Sequence, residues 1–163
     1  MSSATLIVST LMTPAGWLEV AYDEHYVYRA AFTECAGSHP LAARGRLGSL
    51  ITDQLRAYAL NPHYHFQLPL NPLGSSYQQR VWNALLVIPV GRTITYGELA
   101  SRTQSSPRAI GQACKNNPLA LFIPCHRVVG KTNQGGYMGR TSALKYKLAL
   151  LQHESFPIEN SLA

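Results

Sequence analysis

A chain of 163 residues, 46% apolar and only 13% charged, can bury a real hydrophobic core in one or two small domains. No apolar run approaches the ~20 residues of a membrane-spanning helix, and the start MSSATLIVSTLMTPAG has no basic leader, so neither a membrane span nor a secretory signal is expected and an intracellular (cytoplasmic) protein is. The net charge of +6 is unevenly placed, with four Lys/Arg against five Asp/Glu in residues 1–77 and ten against three in 78–163, so an anionic partner would meet the second half; nucleic acid is the commonest such partner, and solubility alone is the other use of a basic face.

Trp17 to Tyr22 alternates apolar and polar residues, turns at Asp23-Glu24-His25 and resumes at Tyr26-Val27-Tyr28, which predicts hairpin strands. Within residues 41–60, Leu47, Leu50, Ile51, Leu55 and Tyr58 recur at helical spacing, so one amphipathic helix should end before Asn61-Pro62. Residues 61–74 hold three prolines and two asparagines and read as a short strand with linking loops. The expected organisation is α/β (α+β): an N-terminal lobe of antiparallel strands and a helix over residues 1–74, then a mostly helical domain over 75–163.

Three helix starts follow in succession. Ser75 stands three residues before Gln78, with Tyr77, Val81, Trp82 and Leu85 on one face beyond it; Thr95 stands three before Glu98; Ser106 precedes Pro107. The second helix would run from Tyr96 to Arg102, turn at 103–106, and be followed by a third that Pro118 stops, a helix-turn-helix candidate in the basic half; helical hairpins are also common without DNA. Beyond lie the apolar run Leu119 to Ile123, then Pro-Cys-His-Arg-Val-Val-Gly, a loop from Lys131 to Gly139 with three glycines, and a final helix with Leu144, Leu148 and Leu151 on one face.

Cys35, Cys114 and Cys125 are widely spaced and form no C-x-x-C pair, which argues against disulfides and structural zinc. Cys125 has the most suggestive surroundings. A cysteine attacks as its thiolate, and the adjacent His126 and Arg127 offer a base and a positive charge that would lower the thiol pKa. On a strand, neighbouring side chains point to opposite faces, so His126 would reach the thiol only through a bend or a water. A buried cysteine beside a hydrogen-bonded histidine is the alternative that the dipeptide leaves open.

The segment Ile123-Pro124-Cys125-His126-Arg127-Val128-Val129-Gly130 resembles the PCHRV signature of the O6-alkylguanine-DNA alkyltransferases. Thr95-Tyr96-Gly97-Glu98-Leu99-Ala100, Arg108-Ala109-Ile110-Gly111 with Asn117-Pro118, and Lys147 through Leu150-Leu151-Gln152-His153-Glu154 are similar to further segments of that family, in the right order from about Tyr77 to Glu154. The first 76 residues fit only as its variable N-terminal lobe.

The resemblance implies single-use repair: transfer of an alkyl group from O6-alkylguanine in duplex DNA to Cys125, with O4-alkylthymine as a second lesion it leaves open. His126 would be the base acting through water, Glu154 the carboxylate that orients it, and Asn117 a bridge from the recognition helix to the cysteine strand, or else a helix C-cap. Tyr96 would protonate or polarise the departing guanine. The lesion must be rotated out of the stack, with Arg108 filling the gap, and small Ala109, Gly111 and Ala113 letting the helix approach the minor groove. Thr95 and Lys115 would add DNA contacts, while Tyr137, Met138 and Val128 would line the base pocket.

The chain departs from the pattern at Met138 and Arg140, where many relatives carry serine and glycine, and this bears on the range of alkyl sizes. A neutral thioether cannot be displaced at a useful rate, so turnover ends at one. No cofactor is implied, and neither a P-loop nor H-E-x-x-H is present. His63 and His65, two apart, could hold a metal on a strand face but more often such a pair is surface or packing. A monomer is expected. Two rivals are a lesion sensor without the cysteine, which Cys125 argues against, and a Cys-His hydrolase, which needs no arginine-led helical pair. Cys114 reads as packing.

Overall fold

The computed structural model describes residues 5–34 and 43–155; Cys35 and residues 41–42 of the predicted first helix lie outside them. Strands β1 (Ile7–Thr13), β2 (Gly16–Tyr22) and β3 (Val27–Thr33) form an antiparallel meander in that order. The first turn is tied by Thr13, whose hydroxyl donates to the Gly16 carbonyl at 2.8 Å, while Gly16 takes a φ of +130° open to glycine. Asp23 closes the second by accepting from the amides of His25 and Tyr26, at 2.7 and 2.8 Å, and from the Tyr28 hydroxyl at 2.7 Å. These bonds hold its carboxyl below the usual range.

Sequence patterning does not reveal β1, and its burial explains why. Ser9 and Thr13 face inward while Met12 is 57% exposed, the reverse of the usual edge-strand alternation. Ser9 is satisfied by the Tyr22 hydroxyl, 3.1 Å away.

Helix α1 (Gly45–Leu60) buries Leu47, Ile51, Leu55 and Tyr58 at one-turn spacing, but Leu50 is turned outward and 41% exposed, so it is not part of the stripe. Residues 61–74 contain no strand. The segment makes a single bridge, Leu70 to Val27, because Pro69 and Pro72 on either side have no N–H to continue a ladder. Gln54 compensates by bracketing Gln67, accepting from its amide at 2.8 Å and donating to its carbonyl at 3.0 Å.

Helix α2 (Ser76–Leu86) starts from a complete capping box between Ser75 and Gln78. The two-residue strand β4 (Ile94–Thr95) leads into α3 (Tyr96–Thr103), capped by Thr95. Gln104 then turns in the left-handed region at φ 53°, and α4 (Pro107–Lys115) begins at Ser106. The Trp82 indole donates to the Ala113 carbonyl at 2.9 Å and fastens α2 to α4 inside the core. The chain ends its described part in α5 (Leu144–Ser155), which buries Tyr146, Lys147, Leu150 and Glu154. The predicted face through Leu144, Leu148 and Leu151 is only partly inward: Leu144 packs half-buried against the core, Leu151 is half-buried and Leu148 is 47% exposed, while two charged residues occupy the innermost side because they find polar partners there. The class is mixed α/β. Among the described residues no helix is long and apolar enough to cross a membrane.

Candidate active site

The segment after α4 is drawn into the core. The Ala30 amide donates to the Pro118 carbonyl at 2.9 Å and the Ala120 amide to the Ala30 carbonyl at 3.0 Å, so the buried run Leu119–Ile123 lies against β3. Leu121 reverses the path at φ 74°. Pro124 then starts a 3₁₀ turn over Cys125–Arg127, followed by strand β5 (Val128–Val129), which pairs in parallel with β4. Cys125 is therefore on a one-turn helix and not on a strand, and successive side chains diverge by about a third of a turn instead of opposing one another.

Behind the cysteine is a buried polar cluster centred on Glu154. Its Oε1 accepts from His126 Nε2 at 2.7 Å, from Arg127 Nη2 at 3.0 Å and from the Tyr58 hydroxyl at 3.0 Å; its Oε2 accepts from Arg127 Nε at 3.1 Å. Arg127 also donates to the Ile88 carbonyl at 2.8 Å. Burial alone would raise the Glu154 carboxyl, yet the bonds from His126 and Arg127 outweigh it and hold the pKa at about 2. Because Nε2 of His126 donates to a carboxylate, the neutral ring presents its lone pair at Nδ1, which is buried and has no hydrogen-bond partner. Burial pushes the imidazole below its ordinary range in spite of Glu154.

Asn117 lies one residue beyond the C-cap, which is Asn116. Its Nδ2 donates to the Ile123 carbonyl at 2.9 Å and to Cys125 Sγ at 3.2 Å, and its Oδ1 accepts from the Leu119 amide at 2.9 Å. The thiol itself departs from expectation. Burial raises its pKa, and the Asn117 bond and the nearby Lys147 charge offset this only in part. The adjacent Arg127 does not help, since its guanidinium is committed to Glu154 and Ile88. The resting state is a thiol with a proton to give up.

Cys125 opens into a cavity of about 320 Å³ walled by Tyr96, Cys114, Tyr137, Met138 and Arg140, with Gly111 and Lys115 on the α4 side. Val128 is not in this wall; its side chain is fully buried in the core beside Ile94, its partner in the β4–β5 pair. The loop wall is shaped by backbone conformation: Gly135, Met138 and Gly139 have φ of 73°, 51° and 66°. Lys147, which sequence reasoning placed only within a closing motif, is wholly buried. Its ammonium donates to the carbonyls of Val128 at 2.6 Å and Gly136 at 2.9 Å and lies 5.8 Å from the centre of the Tyr96 ring. Burial lowers its pKa to about 8. Tyr96 is raised by burial and keeps its proton.

On the outer side Arg108 and Lys115 are exposed, and Ala109 and Gly111 are half-buried, with open space where a Gly111 side chain would stand. The Thr95 hydroxyl accepts from the Glu98 amide at 3.1 Å. Ala113 is buried, so its smallness serves helix packing and not an approach to a partner. Cys114 packs but also faces the cavity. His63 and His65 are not on a strand, and no cluster of three or more metal-ligating residues exists among the described residues.

An acceptor thiol that begins protonated, with a lone-pair nitrogen and a fixed carboxylate behind it and a cavity in front, defines a cysteine-based group-transfer protein. The sequence comparisons narrow the class. Residues 76–156 match the family described as 6-O-methylguanine DNA methyltransferase, DNA binding domain. A methylated-DNA–protein-cysteine methyltransferase of Mycobacterium leprae is 41% identical over 111 residues, 67% of this chain and 66% of that protein, so the chain spans just under two thirds of the relative's length. The crystal structure of the Mycobacterium tuberculosis O6-methylguanine methyltransferase superposes with a TM-score of 0.81 at 32% identity, over 97% of this chain and 99% of that one. The complex of the Mycobacterium tuberculosis OGT with DNA gives 0.73 at 32% identity, over 90% and 92%. The chain belongs to the methylated-DNA–protein-cysteine methyltransferase family.

Proposed function

We propose that this protein repairs O6-alkylguanine in duplex DNA by moving the alkyl group irreversibly onto its own Cys125. The observation that carries this reading is Cys125 at the floor of a cavity, hydrogen-bonded by Asn117 and backed by the His126–Glu154 pair. In the reaction the Cys125 proton passes through a water to Nδ1 of His126, and the imidazolium is stabilised by Glu154. Thiolate sulfur then attacks the alkyl carbon, forming S–C as C–O6 breaks. The electron pair goes to the guanine, whose negative charge is met by the Tyr96 hydroxyl. Asn117 holds sulfur on the line of attack.

Reaching that carbon requires the base to leave the stack, at a cost of a few kcal/mol. The exposed Arg108 at the start of α4 occupies the space left behind, and α3 and α4 act as a helix-turn-helix whose second helix lies in the minor groove, with Thr95, Ala109, Gly111 and Lys115 at the contact. Tyr137 and Met138 flank the extruded base. Residues 75–163 carry both DNA binding and chemistry, the protein acts as a monomer, and its substrate places it inside the cell. The product thioether is inert, so each molecule acts once.

The test is the intact mass of the protein after incubation with a duplex bearing one O6-methylguanine, with peptide mapping and Cys125→Ala as control. A gain of one methylene on Cys125 that saturates at one per molecule is expected. Tight binding of lesion DNA without any gain would make the protein a sensor.

A further inference from the structure

The polar cluster under Cys125 has one member that comes from far outside the matched segment. Tyr58, near the end of α1, is fully buried and donates its hydroxyl to Glu154 Oε1 across 96 residues. That oxygen already receives His126 Nε2 and Arg127 Nη2. A carboxylate oxygen has about two lone-pair sites, so three donors compete there and each weakens the pull on the others. Tyr58 is itself well held. Its carbonyl accepts from His153 Nε2 at 2.8 Å, the His153 ring meets it edge-on with centroids 4.8 Å apart, and Phe66 packs at 5.1 Å.

We propose that Tyr58 is a positioning residue for alkyl transfer: its hydroxyl fixes the Glu154 carboxylate and limits that carboxylate's pull on His126, so that Nδ1 stays unprotonated and ready for the Cys125 proton. This rests on the repair reading above. The other groups facing the pair are Arg127 on the same carboxylate, Lys147 from α5, Tyr137 from the loop, Cys125 itself and His153 behind Tyr58, and a change at Tyr58 removes none of them. Without the hydroxyl, Oε1 attracts the imidazolium more strongly, and His126 takes up a proton at higher pH.

The experiment is a set of single-turnover methyl-transfer rates from pH 5 to 9 on the full chain. Tyr58→Phe keeps the ring and deletes the hydroxyl; it should move the acidic limb up by roughly half a pH unit and so slow transfer up to ~3-fold on the acid side of that limb. Leu55→Ala, in the same buried stripe, should lower the melting temperature and leave the limb in place. Incorporating 3,5-difluorotyrosine at position 58, a more acidic donor of similar shape, should move the limb down, and it decides the matter if Tyr58→Phe does not fold. A limb that stays put in both position-58 variants, or that Leu55→Ala moves equally, overturns the proposal. Wild-type protein that transfers no methyl group overturns the repair reading and the role of Tyr58 with it.

Discussion

The two sides of Cys125 are built on opposite principles. Beneath it, Glu154 receives four hydrogen bonds in a buried site, and the side chains that make them come from α1, the cysteine turn and α5. In front of it, the cavity wall is a loop whose path depends on three residues with positive φ and on one buried ammonium clamping the Gly136 carbonyl. In the first region the polar side-chain atoms of Tyr58, Arg127 and Glu154 are committed and His126 Nδ1 is held open, while the second has few bonds to lose. Proton handling calls for fixed geometry, and admission of a bulky planar group calls for a wall that can be redrawn. The departures from the family pattern, Met138 and Arg140, accordingly fall in the wall and not in the relay.

Changes at the relay should be severe. Cys125→Ser should lower single-turnover transfer by at least ~10³-fold, since a serine hydroxyl without a strong base is a far weaker nucleophile than a thiolate. Glu154→Gln leaves the buried Arg127 without its counter-charge and should destabilise the fold by roughly 3–5 kcal/mol, read by urea denaturation. The same carboxylate sets the acid behaviour. Its folded pKa of about 2 lies below the ordinary carboxyl value of 4.5, so its stabilisation is complete above pH 4.5 and is lost as pH falls towards 2. Wild type should lose stability over that interval and Glu154→Gln should show a flatter profile there; parallel profiles would mean that the acid sensitivity arises elsewhere.

Changes in the wall should be milder and selective. A methyl group on Gly135 would stand 2.6 Å from the Tyr96 hydroxyl and force a left-handed φ of 73° on alanine. Gly135→Ala should cost about 1–3 kcal/mol and slow benzyl transfer more than methyl transfer, because the displaced loop narrows the cavity. Equal slowing of both would show that the loop does not set size selection. Smallest of all, Arg108→Ala should leave thiol reactivity toward a small electrophile unchanged while weakening binding of the lesion duplex, since nothing then fills the gap left by the extruded base. Lesion-duplex affinity equal to that of wild type would show that Arg108 does not occupy that gap.

Local rules account for what is legible in the sequence. The caps at Ser75, Thr95 and Ser106 and the Asp23 turn depend on side chains reaching two or three residues along the chain, and each forms as patterning predicts. Hydrophobic periodicity works for α1, apart from Leu50, because Leu47, Ile51, Leu55 and Tyr58 all enter the core on one face. It fails for β1 and α5, where Ser9, Thr13, Lys147 and Glu154 turn inward. A polar residue can be buried if a partner waits for it, and sequence spacing carries no record of that partner.

By itself, then, the sequence determined the helix starts, the Asp23 turn and the linear run that sets His126 beside Cys125, since each of these is settled within a few residues. Only the tertiary structure decided that Arg127 serves Glu154 and not the thiol, that Lys147 clamps the loop, and that Tyr58 reaches the carboxylate from 96 residues away. The physical reason is that a buried charge takes whichever hydrogen-bond partners the fold brings within about 3 Å, and those partners are chosen by packing and not by adjacency along the chain.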